Sequence, residues 1–166
     1  TLREKGYKKD ITVIPNWVDF DEVKISSKSN SKILEELGWN DDTSIVFQFF
    51  GNIGRVQGID KLLQAIHLVK NPDAKFIFIG NGNAVTLVKE YIRRNDPSSN
   101  KVAYFGELPI SERSLGLNSC DVAIVTLADG MFGLGVPSKA YFSMAANKPV
   151  LAIMHQKAEV ALMVKQ

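Results

Sequence analysis

The chain is poor in the residues that build metal centres and disulfides. Its 166 residues include one cysteine, Cys120, and two histidines, His67 and His155. A lone cysteine cannot close an internal disulfide, which is compatible with a reducing cytosol. With no histidine near it in sequence, Cys120 reads as buried filler. So few sulfur and imidazole ligands give a zinc cluster almost no support, and no metal is expected. No apolar run approaches the ~20 residues of a membrane span, and the first residues carry no signal-peptide pattern. A net charge of only +2 gives no reason to expect nucleic acid as the main partner.

What remains is an ordinary globular composition. Hydrophobic residues make up 45% of the chain, which argues against disorder, and the length suits one domain with a substantial core. Residue 1 is threonine, residues 1–6 read as the last turn of a helix closing on Gly6, and 158–166 read as an unfinished helical pattern. A piece of a longer protein is therefore expected.

Residues 1–44 read as a linker segment leading into βα repeats over 45–166. Within the first part, 11–14 has strand character stopped by Pro15, 26–30 is a polar linker, and 31–37 is a short helix leaving through Gly38. Strands are then expected over 45–50, 75–79, 102–105, 121–126 and 149–153. Helices are expected over 59–70, 84–94, 111–119 (capped by Ser111) and 137–146 (Pro137 at its first position). Several strands are apolar on both faces, as in Phe76-Ile-Phe-Ile79 and Val122-Ala-Ile-Val125. Such runs suit parallel strands covered by helices, and repeated βα units give a doubly wound, Rossmann-like α/β sheet. Ligands of these sheets bind outside the carboxyl ends of the strands.

Three loops follow strands and would meet at that rim. The first is Gly51-Asn-Ile-Gly54-Arg-Val-Gln-Gly58. Glycine lets backbone amides approach an anion, a following helix start attracts negative charge, and Arg55 can add forked donors. It is not the dinucleotide fingerprint, which needs G-x-G-x-x-G; the bland alternative is a tight turn packing helix on strand. The second is Gly80-Asn-Gly-Asn83, which equally reads as a turn with positive φ. The third runs from Asp129 to Lys139 through Gly130, Met131, Phe132, Gly133, Leu134 and Gly135, and opens the helix with Ser138 and Lys139 in its first turn. A cation there opposes the helix dipole, which makes sense if an anion sits nearby; the alternative is a solvated surface lysine. Ala140, Tyr141, Met144 and Ala145 read as a core stripe, as do Phe47, Phe49 and Phe50. Asp121 reads as a helix-exit or strand-entry contact rather than a base.

Five segments then resemble, in order and spacing, the carboxyl-terminal, donor-binding half of family 4 (group 1) glycosyltransferases of GT-B fold. They are Val13-Ile-Pro-Asn-Trp-Val-Asp19, residues 50–58, Phe76-Ile-Phe-Ile-Gly-Asn-Gly82, Val102-Ala-Tyr-Phe-Gly106 with Ser119-Cys-Asp121, and Val136-Pro-Ser-Lys139 through Met144-Ala-Ala-Asn-Lys-Pro-Val150. The match spans about residues 10–156. The departures are specific. Asn52 and Gln57 stand where the broad family has Arg and Lys, and Leu134 and Phe142 where it has two glutamates, the second of which usually grips ribose. The Gly-Asn-Ile-Gly and Val-Pro-Ser-Lys variants are similar to a subgroup that builds surface polysaccharides, near the N-acetylfucosamine transferases.

The resemblance implies retaining transfer of a sugar from a nucleotide diphosphate, with UDP the expected carrier, to a polysaccharide or lipid-linked acceptor. It implies a nucleotide-sugar substrate and no cofactor. Phosphate contacts would come from Gly51, Asn52, Gly54, Arg55, Ser138 and Lys139, with Arg55 and Lys139 as the cations. The donor sugar would meet residues 130–135, and the nucleobase Gly106, Glu107, Leu108 and Pro109. Acceptor binding in the family belongs to an amino-terminal domain, so this chain is expected to be half an active site and inactive alone. The expected location is the cytoplasm, with peripheral association of the whole protein at the inner face of the plasma membrane. Two other classes suit the fold. A nicotinamide-dependent dehydrogenase lacks its fingerprint and its acidic residue here. A non-catalytic binding domain with a decayed donor site is the alternative to an enzyme.

Overall fold

The computed structural model describes residues 2–12, 14, 16–133 and 135–165. Five apolar runs become five parallel strands, β1 (Ile45–Phe50), β2 (Ala74–Ile79), β3 (Val102–Gly106), β4 (Val122–Thr126) and β5 (Val150–Ile153), in the order β3-β2-β1-β4-β5. Helices α1 (Lys32–Leu37), α2 (Ile59–Leu68), α3 (Val85–Asn95), α4 (Arg113–Asn118), α5 (Lys139–Ala145) and α6 (Glu159–Met163) accompany them. Strand order reverses between β1 and β4, so the loops leaving those two strands open a crevice at the carboxyl edge.

Alternation along the strands divides the core. Phe49 and Phe78 point to one side, where they stack at 5.9 Å and meet Ile59, Leu62 and Ile66 of α2 and Val88 of α3. Val46, Ile77 and Ile79 point to the other, against Ile33 and Leu34 of α1, Trp39 and Cys120. Gln48 is buried on a strand and satisfies itself by donating to the Gly116 carbonyl at 2.7 Å. Such a bond removes most of the penalty of a buried amide. Ser31 caps α1 through the Leu34 N–H, and Gly38 closes it in the left-handed conformation, φ 67°.

Several expectations need correction. Ile11, Thr12 and Ile14 lie in no strand, and Val13 and Pro15 fall outside the described residues. Ile14 is exposed, and a short apolar stretch becomes a strand only where an edge pairs with it. The polar stretch before α1 is fastened rather than loose. Its residues Lys28–Asn30 form a 3-10 turn, and Lys28 Nζ reaches Asp121 Oδ2 at 2.6 Å. Asp121 also accepts the Val46 N–H at 2.8 Å, the strand-start contact expected of it. Ser111 does not cap α4. A 3-10 turn, Ile110–Glu112, closed by the Glu112 N–H on the Pro109 carbonyl at 2.9 Å, takes up the residues before Arg113. Pro137 precedes α5, whose N-cap is Ser138. In the stripe that follows, Ala140 and Ala145 are buried, but Met144 is exposed and the Tyr141 hydroxyl donates to Glu159 at 2.8 Å. Among the expected core aromatics, Phe49 is fully buried while Phe47 and Phe50 are half-buried. Cys120 is buried as expected, and burial pushes its thiol up to about 12.

Candidate functional site

The turn after β1 is locked to the turn after β2. The Gly51 N–H donates to Ile79 O at 2.8 Å and the Ile53 N–H to Asn81 O at 2.7 Å. Two glycines allow that approach. A Cβ on Gly80 would lie 1.9 Å from Gly51 O, and one on Gly82 would lie 2.4 Å from Ile53 O. The second turn is thus a structural cradle for the first, and its positive φ values, 134° and 149°, suit glycine. The Gly54 N–H is taken by Gln57 Oε1 at 3.1 Å. The turn therefore differs from an open nest of amides: the N–H groups of Gly51, Ile53 and Gly54 already have acceptors inside the fold.

Arg55 opens a 3-10 turn (Arg55–Gln57), and its N–H donates to Asn83 Oδ1 at 3.1 Å. It is exposed and lines neither of the two cavities described below. Lys139 is placed differently. At the first residue of α5 its side chain runs inward beside Gly51, where a Cβ would meet Lys139 Cε at 3.9 Å. The Nζ is closed off from water and lies 3.6 Å from the centroid of the Phe49 ring. Among the described residues it is the buried side-chain nitrogen or oxygen with no hydrogen-bond partner. Burial draws its pKa down to about 7, because an ammonium without a counter-ion is costly in an apolar setting. The solvated-lysine reading does not hold: the amine is buried, and among the described residues it has no hydrogen-bond partner.

Two cavities share one rim. The larger, about 540 Å³, is lined by Glu107, Leu108 and Pro109 after β3, and by Gly80–Gly82. The other, about 440 Å³, is lined by Ser138, Lys139, Phe142 and Gln57. Phe50, Gly51, Asn52 and Arg113 line both. Expected phosphate residues Gly51, Asn52, Ser138 and Lys139 are thus brought together, whereas Gly54 and Arg55 are not. Gly106 stays outside the larger cavity, its carbonyl accepting the Gly80 N–H at 2.6 Å. Of the third loop, Met131 and Gly135 line a separate cavity of about 200 Å³ with Val136 and Pro137. Phe132 stacks on His155 at 4.7 Å, Gly130 and Gly133 are exposed, and Leu134 lies outside the described residues. Sequence reasoning passed over Arg113, since one charged residue in the polar run Ser111-Glu-Arg-Ser114 has no spacing to distinguish it. Among the described residues no group of three or more His, Cys, Asp or Glu side chains is placed to hold a metal, and no helix is long and apolar enough to cross a membrane.

Residues 44–164 match the family described as glycosyl transferases group 1. A curated relative, "Probable glycosyltransferase WbjE" of Pseudomonas aeruginosa, is 46% identical over 158 residues, covering 95% of this chain and 38% of the relative. The fold is similar to that of Anabaena HepE in complex with UDP, with TM-score 0.68 at 18% identity over 93% of this chain and 46% of that one. It is also similar to the C-terminal domain of LpcC, a group 1 family glycosyl transferase from Francisella tularensis, with TM-score 0.60 at 15% identity over 89% of this chain and 84% of that one. These two likenesses concern the fold; the family rests on the sequence matches, and by them the chain belongs to the group 1 glycosyltransferases.

Proposed function

We propose that this chain is the donor-binding half of a retaining glycosyltransferase that takes its sugar from a nucleotide diphosphate, UDP in the first instance. The acceptor would be a growing polysaccharide or a lipid-linked glycan, held by a part of the longer protein. One observation carries the reading. Lys139, whose buried nitrogen has no hydrogen-bond partner, lines the crevice at the point where strand order reverses, beside the turn after β1. A pyrophosphate leaving group gains negative charge as the glycosidic bond breaks. A fixed cation in a water-poor site stabilises that charge without reorganising. Lys139 supplies the cation, Ser138 and Asn52 supply further polar contacts, and Glu107, Leu108 and Pro109 form the wall against the base. HepE, solved with UDP and with UDP-glucose, supports UDP as the carrier. The Gly-Asn-Ile-Gly and Val-Pro-Ser-Lys segments favour a surface-polysaccharide enzyme. No cofactor beyond the donor is needed for this chemistry.

Calorimetry with UDP, UDP-sugars, uridine and NAD tests the reading. The chain should bind UDP in preference to uridine and to NAD, weakly, near millimolar or about 4 kcal/mol, and should not turn over a donor by itself. Lys139→Ala should cost about 1.5–3 kcal/mol for UDP and less for uridine. Tight NAD binding, or equal affinity for UDP and uridine, would overturn it.

A further inference from the structure

Arg113 has no role in the scheme above, yet it lines both cavities. Its guanidinium carbon sits 4.5 Å from the centroid of the Phe142 ring, and Nη1 donates to Glu22 Oε2 at 2.9 Å. One flank on an aromatic face and one corner on a carboxylate fix the plane of the group. A guanidinium has five N–H donors, and among the described hydrogen bonds its side chain uses one. The side chain keeps 27% of its surface exposed, so the remaining donors are within reach of a ligand.

The position of that group matters more than its pairing. The four residues common to both cavities are Phe50, Gly51, Asn52 and Arg113, and Arg113 is the cation among them. Lys139 stands only in the second cavity. A ligand that fills both must cross the shared wall. In a nucleotide whose base lies toward Pro109 and whose terminal phosphate lies toward Lys139, the part that crosses is the ribose and its first phosphate. We propose that Arg113 grips the first phosphate of the nucleotide, and that this contact makes the site select 5′-phosphorylated nucleosides over bare ones. Glu22 orients the guanidinium and leaves its other donors to the ligand. This inference rests on the donor-binding reading and adds to it a second cation with a separate task.

The test compares uridine, UMP and UDP by NMR titration on the unaltered chain, Arg113→Ala and Glu22→Gln, with thermal unfolding of each run alongside. Arg113→Ala should weaken UMP and UDP by about 10- to 100-fold, the span of one charged hydrogen bond, and leave uridine unchanged. Glu22→Gln removes the carboxylate charge but keeps an oxygen that can accept from Nη1, so the guanidinium stays oriented and UMP should bind at least as tightly as to the unaltered chain. A loss shared equally by uridine and UMP, or a loss reproduced by Glu22→Gln, would make the Arg113–Glu22 pair a structural strut and overturn the proposal. Unchanged UMP affinity in Arg113→Ala would overturn it as well, while leaving the donor-binding reading standing. An unaltered chain that binds neither UMP nor UDP would remove both.

Discussion

Replacing Lys139 by methionine should make the ligand-free protein more stable. The ordinary lysine pKa is 10.5, and burial lowers it to about 7. At about 1.4 kcal/mol per tenfold change in the proton equilibrium, the buried ammonium disfavours folding by on the order of 4 kcal/mol at neutral pH. The Phe49 ring, 3.6 Å from Nζ, returns up to about 2 kcal/mol as a cation–π contact. A net gain of about 2–4 kcal/mol is therefore expected for Lys139→Met at pH 7. Methionine keeps the length of the stem and packs on the same ring. The sign of the pH dependence follows from linkage. The unfolded chain holds a proton that the folded chain releases, so wild-type stability should rise between about pH 7 and 10.5. Urea denaturation of both proteins at pH 7 and pH 9.5 reads the difference. The stability gap should shrink to about 1 kcal/mol at the higher pH. A gap that stays constant with pH, or a methionine variant less stable than wild type at pH 7, would show that the nitrogen is hydrated and would refute the reasoning.

Three further outcomes can be checked. If UDP places its diphosphate on Lys139, binding restores the ammonium, so at pH 8 calorimetry in two buffers of different ionisation enthalpy should register uptake of about one proton; zero uptake contradicts the contact. Gly80→Ala should lower stability by about 1–3 kcal/mol and weaken UDP binding, because the new Cβ has to displace Gly51 O at 1.9 Å from a positive-φ position; an unchanged melting temperature counts against the cradle. Asp121→Asn should lower stability by about 1–3 kcal/mol, since it removes the charged partner of Lys28 Nζ, which keeps the Ser44 carbonyl, and weakens the acceptor for the Val46 N–H; a salt titration should show the loss persisting at high ionic strength, as expected for partly buried charges.

Much of the sheet was legible because its strands are apolar on both faces. Residues 76–79 admit no register that would leave one face in water, and the glycines after β1 and β2 mark where each of those strands stops. The helices of the repeats were legible within one to two residues from the spacing of Ile59, Leu62, Leu63 and Ile66. Short elements were not. Ser111 and Pro137 carry strong local preferences, yet a 3-10 turn takes up the residues before α4, and Ser138 rather than Pro137 borders α5. In the site, Lys139 was legible because a cation at a helix start is an electrostatic anomaly. Its burial on Phe49 was not, because that contact joins residues ninety positions apart and depends on β1 and α5 meeting at the crevice. Arg55 looked the equal of Lys139 in sequence. The hydrogen bond of its N–H to Asn83 and its exposed place on the 3-10 turn separate the two. Arg113 became visible only when two loops, after β3 and before α5, were brought to the same wall.

The central claim is that a nucleotide diphosphate lies between the turn after β1 and the start of α5. A crystal structure of the chain grown with UDP tests it most directly. The diphosphate should lie within hydrogen-bond distance of Lys139 Nζ and beside Gly51 and Asn52, with the base against Leu108 and Pro109. UDP bound only at the amino-terminal edge of the sheet, or bound at the carboxyl edge with Lys139 Nζ still on Phe49 and touching no phosphate, would contradict it.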